Sequence, residues 1–280
     1  MRIINSQTIT TEVERLCKEA NYILPEDVRC AICSAIDTEV CPTSKDVLCK
    51  IKDNYLIAEE NNMAICQDTG MAVFFVEIGN EVYVEGDTIT DAINKGVALG
   101  YSNGYLRKSI VRDPLDRVNT GDNTPAVVHY SYTYGDKITI TIAPKGFGSE
   151  NMSAIRMFSP SAGVEGIKDF VIETVDKAGS NPCPPIVVGI GIGGNFETCA
   201  QLAKKALTRD ILSSNDNPFY AQLEEELLDK INKLGIGPQG FGGKNTALGV
   251  NIETAPTHIA GMPCAVNISC HVTRHKTTII

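Results

Sequence analysis

The sequence predicts an α/β protein of mixed α+β type, with a helical lead-in over about residues 1–62 followed by mixed β-sheets flanked by helices. In the lead-in, apolar residues recur every three to four positions, which is the spacing of a buried helix face. Beyond it, short apolar runs bounded by Gly, Asn and Asp alternate with longer amphipathic stretches, the pattern of strands between helices. With 280 residues, of which 43% are hydrophobic, we expect a single domain over residues 1–280.

The lead-in is predicted to contain three helices. Thr11, Val13 and Leu16 begin the buried face of the first. Pro25, followed by two acidic residues, begins the second, because Pro is tolerated in the first turn and acids favour a helix amino terminus. Residues 43–46 offer hydroxyl and carboxylate caps for the third.

The remaining elements are predicted from the same two patterns: short apolar runs bounded by turn residues for strands, and apolar residues every three to four positions for helices. The predicted strands are 71–78, 82–84, 126–132, 137–143, 186–190, 247–253 and 263–268. The predicted helices are 88–101, 163–178, 197–206 and 219–234. Turn residues at 79–80 and 134–136 predict that the strands they join pair as hairpins.

Composition excludes several classes of partner. The net charge of -9 argues against nucleic acid, because phosphate binding needs clustered Lys and Arg. The apolar run at 186–192 contains glycines and is too short to cross a bilayer, and the first residues lack the pattern of a signal peptide. We therefore expect a cytoplasmic protein that does not bind membranes.

The ten cysteines are expected to be reduced thiols or metal ligands, since disulfide scaffolds are typical of short secreted chains. Cys30 and Cys33 form a C-x-x-C pair within a predicted helix, and no second pair at zinc spacing accompanies them, so we interpret them as structural. Four further cysteines lie in apolar segments and are predicted to belong to the core: Cys17, Cys49, Cys199 and Cys264.

Three other cysteines lie among polar, Pro or Gly residues in predicted turns. They are Cys66, Cys183 and Cys270. Three thiolates are one short of the usual complement of an iron–sulfur cluster, and a cluster with one open iron acts as a Lewis acid. The separations along the chain define no local ligand motif, so spacing alone leaves both a cluster site and three unrelated thiols open.

Three glycine-rich segments also stand out. Residues 189–194 lie between a strand and a helix but do not match a dinucleotide-binding fingerprint, so a closely packed turn and an anion site both remain possible. Residues 235–243 and the Lys145–Asn151 segment combine flexible backbone with small donors. Together with Arg107, they are suited to a small anionic molecule.

The chain resembles the alpha subunit of the iron–sulfur class of fumarate hydratases, the class I fumarase and tartrate dehydratase family. The resemblance extends over essentially the whole sequence. The segments that carry it, in order, are Cys66-Gln67-Asp68-Thr69-Gly70, Tyr105-Leu106-Arg107, Asn119-Thr120-Gly121-Asp122-Asn123, Lys145-Gly146-Phe147-Gly148-Ser149-Glu150-Asn151, Asn181-Pro182-Cys183-Pro184-Pro185, the glycine-rich residues 235–243, and Cys270 with Arg274. Phe147 is a departure, since many relatives carry a glycine at that position.

The resemblance implies a [4Fe-4S] cluster held by three cysteines and one iron that the protein does not ligate. The implied ligands are Cys66, Cys183 and Cys270. It implies that the dicarboxylate substrate contacts Gln67, Asp68, Arg107, Gly146, Gly148, Ser149 and Asn151. Asp68 is the predicted catalytic residue, supporting proton transfer.

The implied activity is reversible hydration of fumarate to malate, with L-tartrate dehydratase and mesaconate hydratase alpha subunits as alternatives. The resemblance further implies a separate beta subunit that completes the active site, in an α2β2 assembly or with an α–α dimer. A non-enzymatic iron–sulfur electron carrier or redox sensor is the competing hypothesis. Arg107 and the glycine-rich segments argue against it, because an electron carrier needs no carboxylate-binding loops.

Overall fold

The structure, a computed structural model, describes every residue from Met1 to Ile280. Its α helices are α1 (Ser6–Tyr22), α2 (Glu26–Thr38), α3 (Pro42–Glu60), α4 (Ile89–Asn103), α5 (Phe147–Glu150), α6 (Gly163–Ala178), α7 (Phe196–Ala206) and α8 (Pro218–Asn232). Its strands are β1 (Arg2–Asn5), β2 (Met71–Gly79), β3 (Val82–Glu85), β4 (Val127–Thr133), β5 (Ile138–Lys145), β6 (Ala154–Phe158), β7 (Ile186–Gly194), β8 (Ala247–Thr257), β9 (Met262–Ser269) and β10 (Lys276–Ile279). The predicted mixed α/β class is confirmed.

The chain forms two compact units. The first comprises Met1–Pro25, Asn54–Phe147 and Arg274–Ile280, and the second comprises Glu26–Asp53 and Gly148–Thr273. The helical lead-in predicted for residues 1–62 contributes to both units, because α1 belongs to the first and α2 to the second. No helix has the length and apolar character needed to span a membrane.

The first unit contains a four-stranded sheet in the order β10-β5-β2-β4, with α1 and α4 packed together in the same core. Alternate residues of β2 and β5, including Phe74 and Ile140, lie in this core with Val13 of α1. A Cβ at Gly96 of α4 would lie 2.6 Å from the Val13 Cβ, so the glycine permits the close approach of α1 and α4.

Both predicted hairpins of the first unit are wrong. β3 pairs in parallel with β1, and β2 lies between β4 and β5, parallel to the former and antiparallel to the latter. The turn from β4 to β5 passes over the end of β2: Gly79 donates its N–H to the Lys137 carbonyl, and Asn80 donates to the Thr133 carbonyl. Because these are backbone contacts, the turn residues alone did not distinguish this crossing from a hairpin.

The second unit contains a four-stranded sheet in the order β6-β9-β7-β8. Helices α6 and α8 supply apolar side chains to its main core, and α7 packs through Cys199 and Ala203 against Ala265. A Cβ at Gly191 of β7 would lie 2.0 Å from the Cys199 carbonyl oxygen. Residues 189–194 therefore allow close packing of a helix on a strand, the first of the two interpretations left open by the sequence.

Some elements and burial states differ from the sequence prediction. The short strands β1, β6 and β10 and the four-residue α5 were not predicted. Cys49, predicted to lie in the core, is only partly buried. Burial of the other predicted core cysteines is confirmed, and it raises the pKa of Cys199 and raises that of Cys264 to about 12.

Candidate active site

In the first unit, the loop between α3 and β2 presents a thiol, an amide and a carboxylate on successive residues. Cys66 and Asp68 are partly buried and Gln67 is exposed. The Cys66 Sγ accepts the backbone N–H of Asp68 at 3.4 Å and lies 3.5 Å from the Gln67 Oε1. The loop therefore presents a thiol, an amide and a carboxylate within three successive residues.

Two buried side chains hold this loop in place. The Tyr101 hydroxyl donates to the carbonyls of Thr69 at 2.9 Å and Gly70 at 3.1 Å, and the Asn123 Nδ2 donates to the Gly70 carbonyl at 3.2 Å. Both side chains are 0% exposed. Burial raises the pKa of Tyr101, so its hydroxyl remains a donor across the working range of pH.

The Asp68 carboxylate is fixed at both oxygens. Its Oδ1 accepts the N–H of Gly70 at 3.0 Å, and its Oδ2 accepts the N–H of Phe147 at 2.9 Å. A Cβ at Gly146 would lie 3.0 Å from the same Oδ2, so a side chain at this position would crowd the carboxylate. Phe147 acts through its backbone and its ring is 45% exposed, which explains why a non-glycine residue is compatible with this contact.

Two arginines contact the same loop in different ways. The Arg107 carbonyl accepts the Thr69 hydroxyl at 3.0 Å, while the residue itself is exposed. Arg274 is only 5% exposed, and its Nη2 donates to the Asp68 carbonyl. Its Nε and Nη1 are buried without a hydrogen-bond partner. Arg274 was not among the predicted substrate contacts, although it belongs to a segment that carried the resemblance.

In the second unit, sheet topology brings Cys183 and Cys270 to one end of a strand pair. Cys183 lies three residues before β7 begins, and Cys270 immediately follows β9. These strands are antiparallel, with Val187 opposite Ser269. The start of one strand therefore lies beside the end of the other. Although 87 residues separate them in sequence, the two cysteines lie on neighbouring loops, as a shared site requires.

Hydrogen bonds join these two loops directly. The Cys183 carbonyl accepts the His271 backbone N–H at 3.4 Å and lies 2.9 Å from the His271 Nδ1. The same Nδ1 lies 3.3 Å from the Nε2 of Gln239. Gln239 of the glycine-rich segment donates its backbone N–H and its Nε2 to the Pro184 carbonyl, each at 2.8 Å. Segment 235–243 thus supports the Cys183 loop.

The remaining predicted substrate contacts lie just beyond Phe147. Gly148 and Asn151 are exposed, whereas Ser149 is 4% exposed. The neighbouring Glu150 accepts hydrogen bonds from Lys204 of α7 and Asn267 of β9. Glu150 therefore anchors this segment within the second unit.

Comparison with known proteins identifies the family. A profile of the fumarate hydratase (Fumerase) family matches residues 10–279. The chain belongs to the fumarate hydratase family. It is 44% identical over 272 residues to a Methanocaldococcus jannaschii protein named provisionally as an L(+)-tartrate dehydratase subunit alpha, covering 95% of each chain. It is 34% identical to the L(+)-tartrate dehydratase subunit alpha of Escherichia coli K12, over 92% of this chain and 86% of that relative.

The cysteines of this fumarate hydratase family member fit the donor chemistry of an iron–sulfur group. Cys66, Cys183 and Cys270 all lie on loops and retain exposed surface, unlike the buried Cys199 and Cys264. Thiolate sulfur is the usual ligand of such clusters. No group of three His, Cys, Asp or Glu side chains is arranged to hold a metal ion. The fit therefore rests on the donor set and on the pairing of the Cys183 and Cys270 loops.

Several supporting residues were missed by the sequence prediction of the site. They are Tyr101, Asn123, Glu150, Gln239 and His271. Each bonds to backbone or side-chain atoms more than 30 residues away. Asn123, Glu150 and Gln239 lie in segments that carried the resemblance, whereas Tyr101 and His271 lie outside them. These residues fix the loops that hold the predicted site residues.

Proposed function

We propose that this chain is the alpha subunit of a [4Fe-4S]-dependent hydro-lyase that reversibly hydrates fumarate to malate. The observation that carries the proposal is the pairing of the Cys183 and Cys270 loops at one end of the β7–β9 pair. Membership of the fumarate hydratase family over residues 10–279 supports the reaction class.

In this proposal, Cys66, Cys183 and Cys270 ligate the cluster and leave one iron without a protein ligand. When bound, such a cluster supplies a Lewis acid for the hydroxyl group that is added or lost. The protein must also bind the dicarboxylate substrate and neutralise its two negative charges. Arg107 and Gln67, both exposed on or beside the Cys66 loop, are proposed to bind the substrate carboxylates.

Asp68 is proposed to support proton transfer. Its two carboxylate oxygens each accept one backbone N–H, which orients the group and leaves further lone pairs for substrate. A carboxylate held in this way can receive or return a proton without first reorganising. Gly146, Gly148, Ser149 and Asn151 are proposed to supply small donors to the substrate carboxylates.

The names of the relatives favour a second candidate substrate. The E. coli and M. jannaschii relatives are both named for L(+)-tartrate. Dehydration of tartrate uses the same bond cleavage as the reverse of fumarate hydration and differs by a second hydroxyl group. We therefore retain L-tartrate dehydration as the alternative activity.

A separate beta subunit is part of the proposal. The relatives are named as alpha subunits. We propose that the beta subunit supplies further cations for the substrate and the residue that abstracts its proton, in an α2β2 assembly or with an α–α dimer.

The test is an anaerobic assay of the chain co-purified with its partner subunit, using fumarate, L-tartrate and mesaconate in parallel. We expect hydration of fumarate that is lost in air and restored by ferrous iron and thiol. Preferred turnover of L-tartrate would select the alternative substrate. A cluster that cycles by one electron, with no turnover of any substrate and no spectral response to them, would instead support the electron-carrier or redox-sensor hypothesis.

A further inference from the structure

Glu39, between α2 and α3, is a buried carboxylate that forms no ion pair. It is 5% exposed, and four N–H donors satisfy it instead of a cation. The backbone N–H groups of Val40, Cys41 and Lys244 each donate to it at 3.0 Å, and the Asn245 Nδ2 donates at 2.8 Å. Because burying a charge is costly, such a group stabilises one arrangement of its donors strongly and tolerates others poorly.

Glu39 anchors the glycine-rich segment 235–243 at its carboxyl-terminal end. Two of its four donors, Lys244 and Asn245, directly follow this segment. A Cβ at Gly243 would lie 2.7 Å from the Glu39 Oε1, so a glycine is needed for the backbone to approach the carboxylate this closely. Ser44 of α3 adds a second anchor, since its hydroxyl donates to the Gly242 carbonyl at 2.6 Å.

The same segment reaches the Cys183 loop at its other extremity. A Cβ at Gly237 would lie 1.6 Å from the Gly242 carbonyl oxygen, so the two arms of the segment are in contact and Gln239 lies at the tip between them. Gln239 donates its N–H and its Nε2 to the Pro184 carbonyl, each at 2.8 Å. The anchored segment therefore holds the residue that follows Cys183.

Glu224 is a second buried carboxylate of the same unit, and it has a different task. It is 6% exposed, pairs with Arg209, and accepts the Ile252 N–H at 2.6 Å and an Asn215 N–H at 3.3 Å. None of these partners belongs to segment 235–243 or to the Cys183 loop. Glu224 stabilises the unit without this connection, and a comparison of the two carboxylates separates general stabilisation from local positioning.

We propose that Glu39 is a positioning residue for the cluster ligand Cys183. Its carboxylate fixes segment 235–243, and Gln239 of that segment fixes the Cys183 loop in the position from which the thiolate binds iron. The inference rests on the proposed function, because that function makes Cys183 a ligand. Glu39 acts only through the segment and forms no hydrogen bond with the Cys183 loop.

Glu39→Gln is the sharpest perturbation of this connection. One carboxylate oxygen accepts from Val40 and Cys41, and the other accepts from Lys244 and Asn245. The NH2 group of Gln only donates, so it opposes two donors in either orientation of the amide. Glu39→Asp keeps both acceptor oxygens but shortens the side chain by one methylene, so it retains folding and is expected to have an intermediate effect.

The first test is hydrogen exchange of the full chain, measured by mass spectrometry in peptides that contain Gln239 and His271. The N–H groups of these residues donate to the Pro184 and Cys183 carbonyls, so their exchange reports the position of the Cys183 loop. Glu39→Gln should accelerate exchange in both peptides about tenfold, because a loosened segment opens these bonds. Glu224→Gln is the matched control and should exchange there as the wild type does. Equal exchange in the Glu39 and Glu224 variants, or wild-type exchange in both Glu39 variants, would overturn the inference.

The second test is the rate at which a ferrous-iron chelator removes iron from the anaerobically reconstituted protein. Glu39→Gln should lose iron several-fold faster than the wild type and Glu224→Gln at the wild-type rate, because only the first loosens a ligand loop. If the wild-type protein binds no cluster, the proposed function is wrong, and the exchange experiment still tests the loop connection. If the cluster is present and the loop exchanges faster in Glu39→Gln while iron release is unchanged, Cys183 does not depend on Glu39 and the inference is overturned.

Discussion

Replacing Tyr101 with Phe tests whether buried donors fix the Cys66 loop. The ring remains, so packing is retained, but the hydroxyl that donates to the Thr69 and Gly70 carbonyls is lost. Gly70 still accepts from Asn123 at 3.2 Å, so the main loss is at Thr69. Leaving one buried acceptor unsatisfied costs about 1–3 kcal/mol.

The assay for Tyr101→Phe is urea unfolding, read as a lower midpoint at unchanged slope. Tyr132→Phe is the matched control, because the Tyr132 side chain is 80% exposed and its change is expected to stay within about 0.5 kcal/mol. If the two variants have the same stability, the Tyr101 hydroxyl does not support the loop and the structural argument for a preorganised Cys66 site is wrong.

Three further predictions concern charge, packing and turnover. Burial raises the pKa of Glu39, but hydrogen bonds from Cys41, Asn245 and Lys244 outweigh it and hold that pKa below its ordinary value of 4.5. The ionised Glu39 therefore stabilises the fold above pH 4.5, and this stabilisation is lost as the pH falls through the lowered pKa. Glu39→Gln should flatten acid unfolding curves in this pH window, and unchanged curves would contradict the prediction. Gly191→Ala should lower stability by about 1–3 kcal/mol in thermal unfolding, because the added Cβ would clash with the backbone of α7. Gly261→Ala is the control and should be tolerated, because its Cβ would meet no atom closer than 3.9 Å. Equal melting temperatures of the two variants would refute the packing argument. Asp68→Asn should retain the cluster and lower kcat at least tenfold, because an amide cannot accept a proton as the carboxylate does; wild-type kcat would remove Asp68 from the mechanism.

The sequence indicated the elements and the key loops because their signals are local. Pro on both sides of Cys183 and Gly70 after the Cys66 segment mark turns, a continuous apolar run marks β2, and an alternating pattern marks β5. Strand order was not predictable in the same way. The turn at 134–136 has hairpin residues, yet β4 and β5 do not pair, because β2 lies between them. Turn residues do not determine which apolar strand occupies the centre of the sheet.

The supporting residues of the site could not be predicted for a related reason. Tyr101 and Asn123 bond to backbone carbonyls 31 and 53 residues away, and a backbone acceptor leaves no trace in residue type. Arg274 shows the same limit: its burial and its unpartnered nitrogens are properties of the folded chain. Residue types along the sequence indicated the loops that carry reactive groups, but not the distant residues that hydrogen-bond to those loops in the folded chain.

The central claim is that three cysteines from distant parts of the chain hold one cluster. Its most direct measurement is iron and acid-labile sulfide content, with Mössbauer spectra, after anaerobic reconstitution of Cys66→Ser, Cys183→Ser and Cys270→Ser. Cys30→Ser is the control, since Cys30 is also an exposed thiol but lies on α2. The account predicts about four irons per chain in the wild type and control, with loss of the intact cluster in each of the three ligand variants. Full cluster content in all three variants would contradict it.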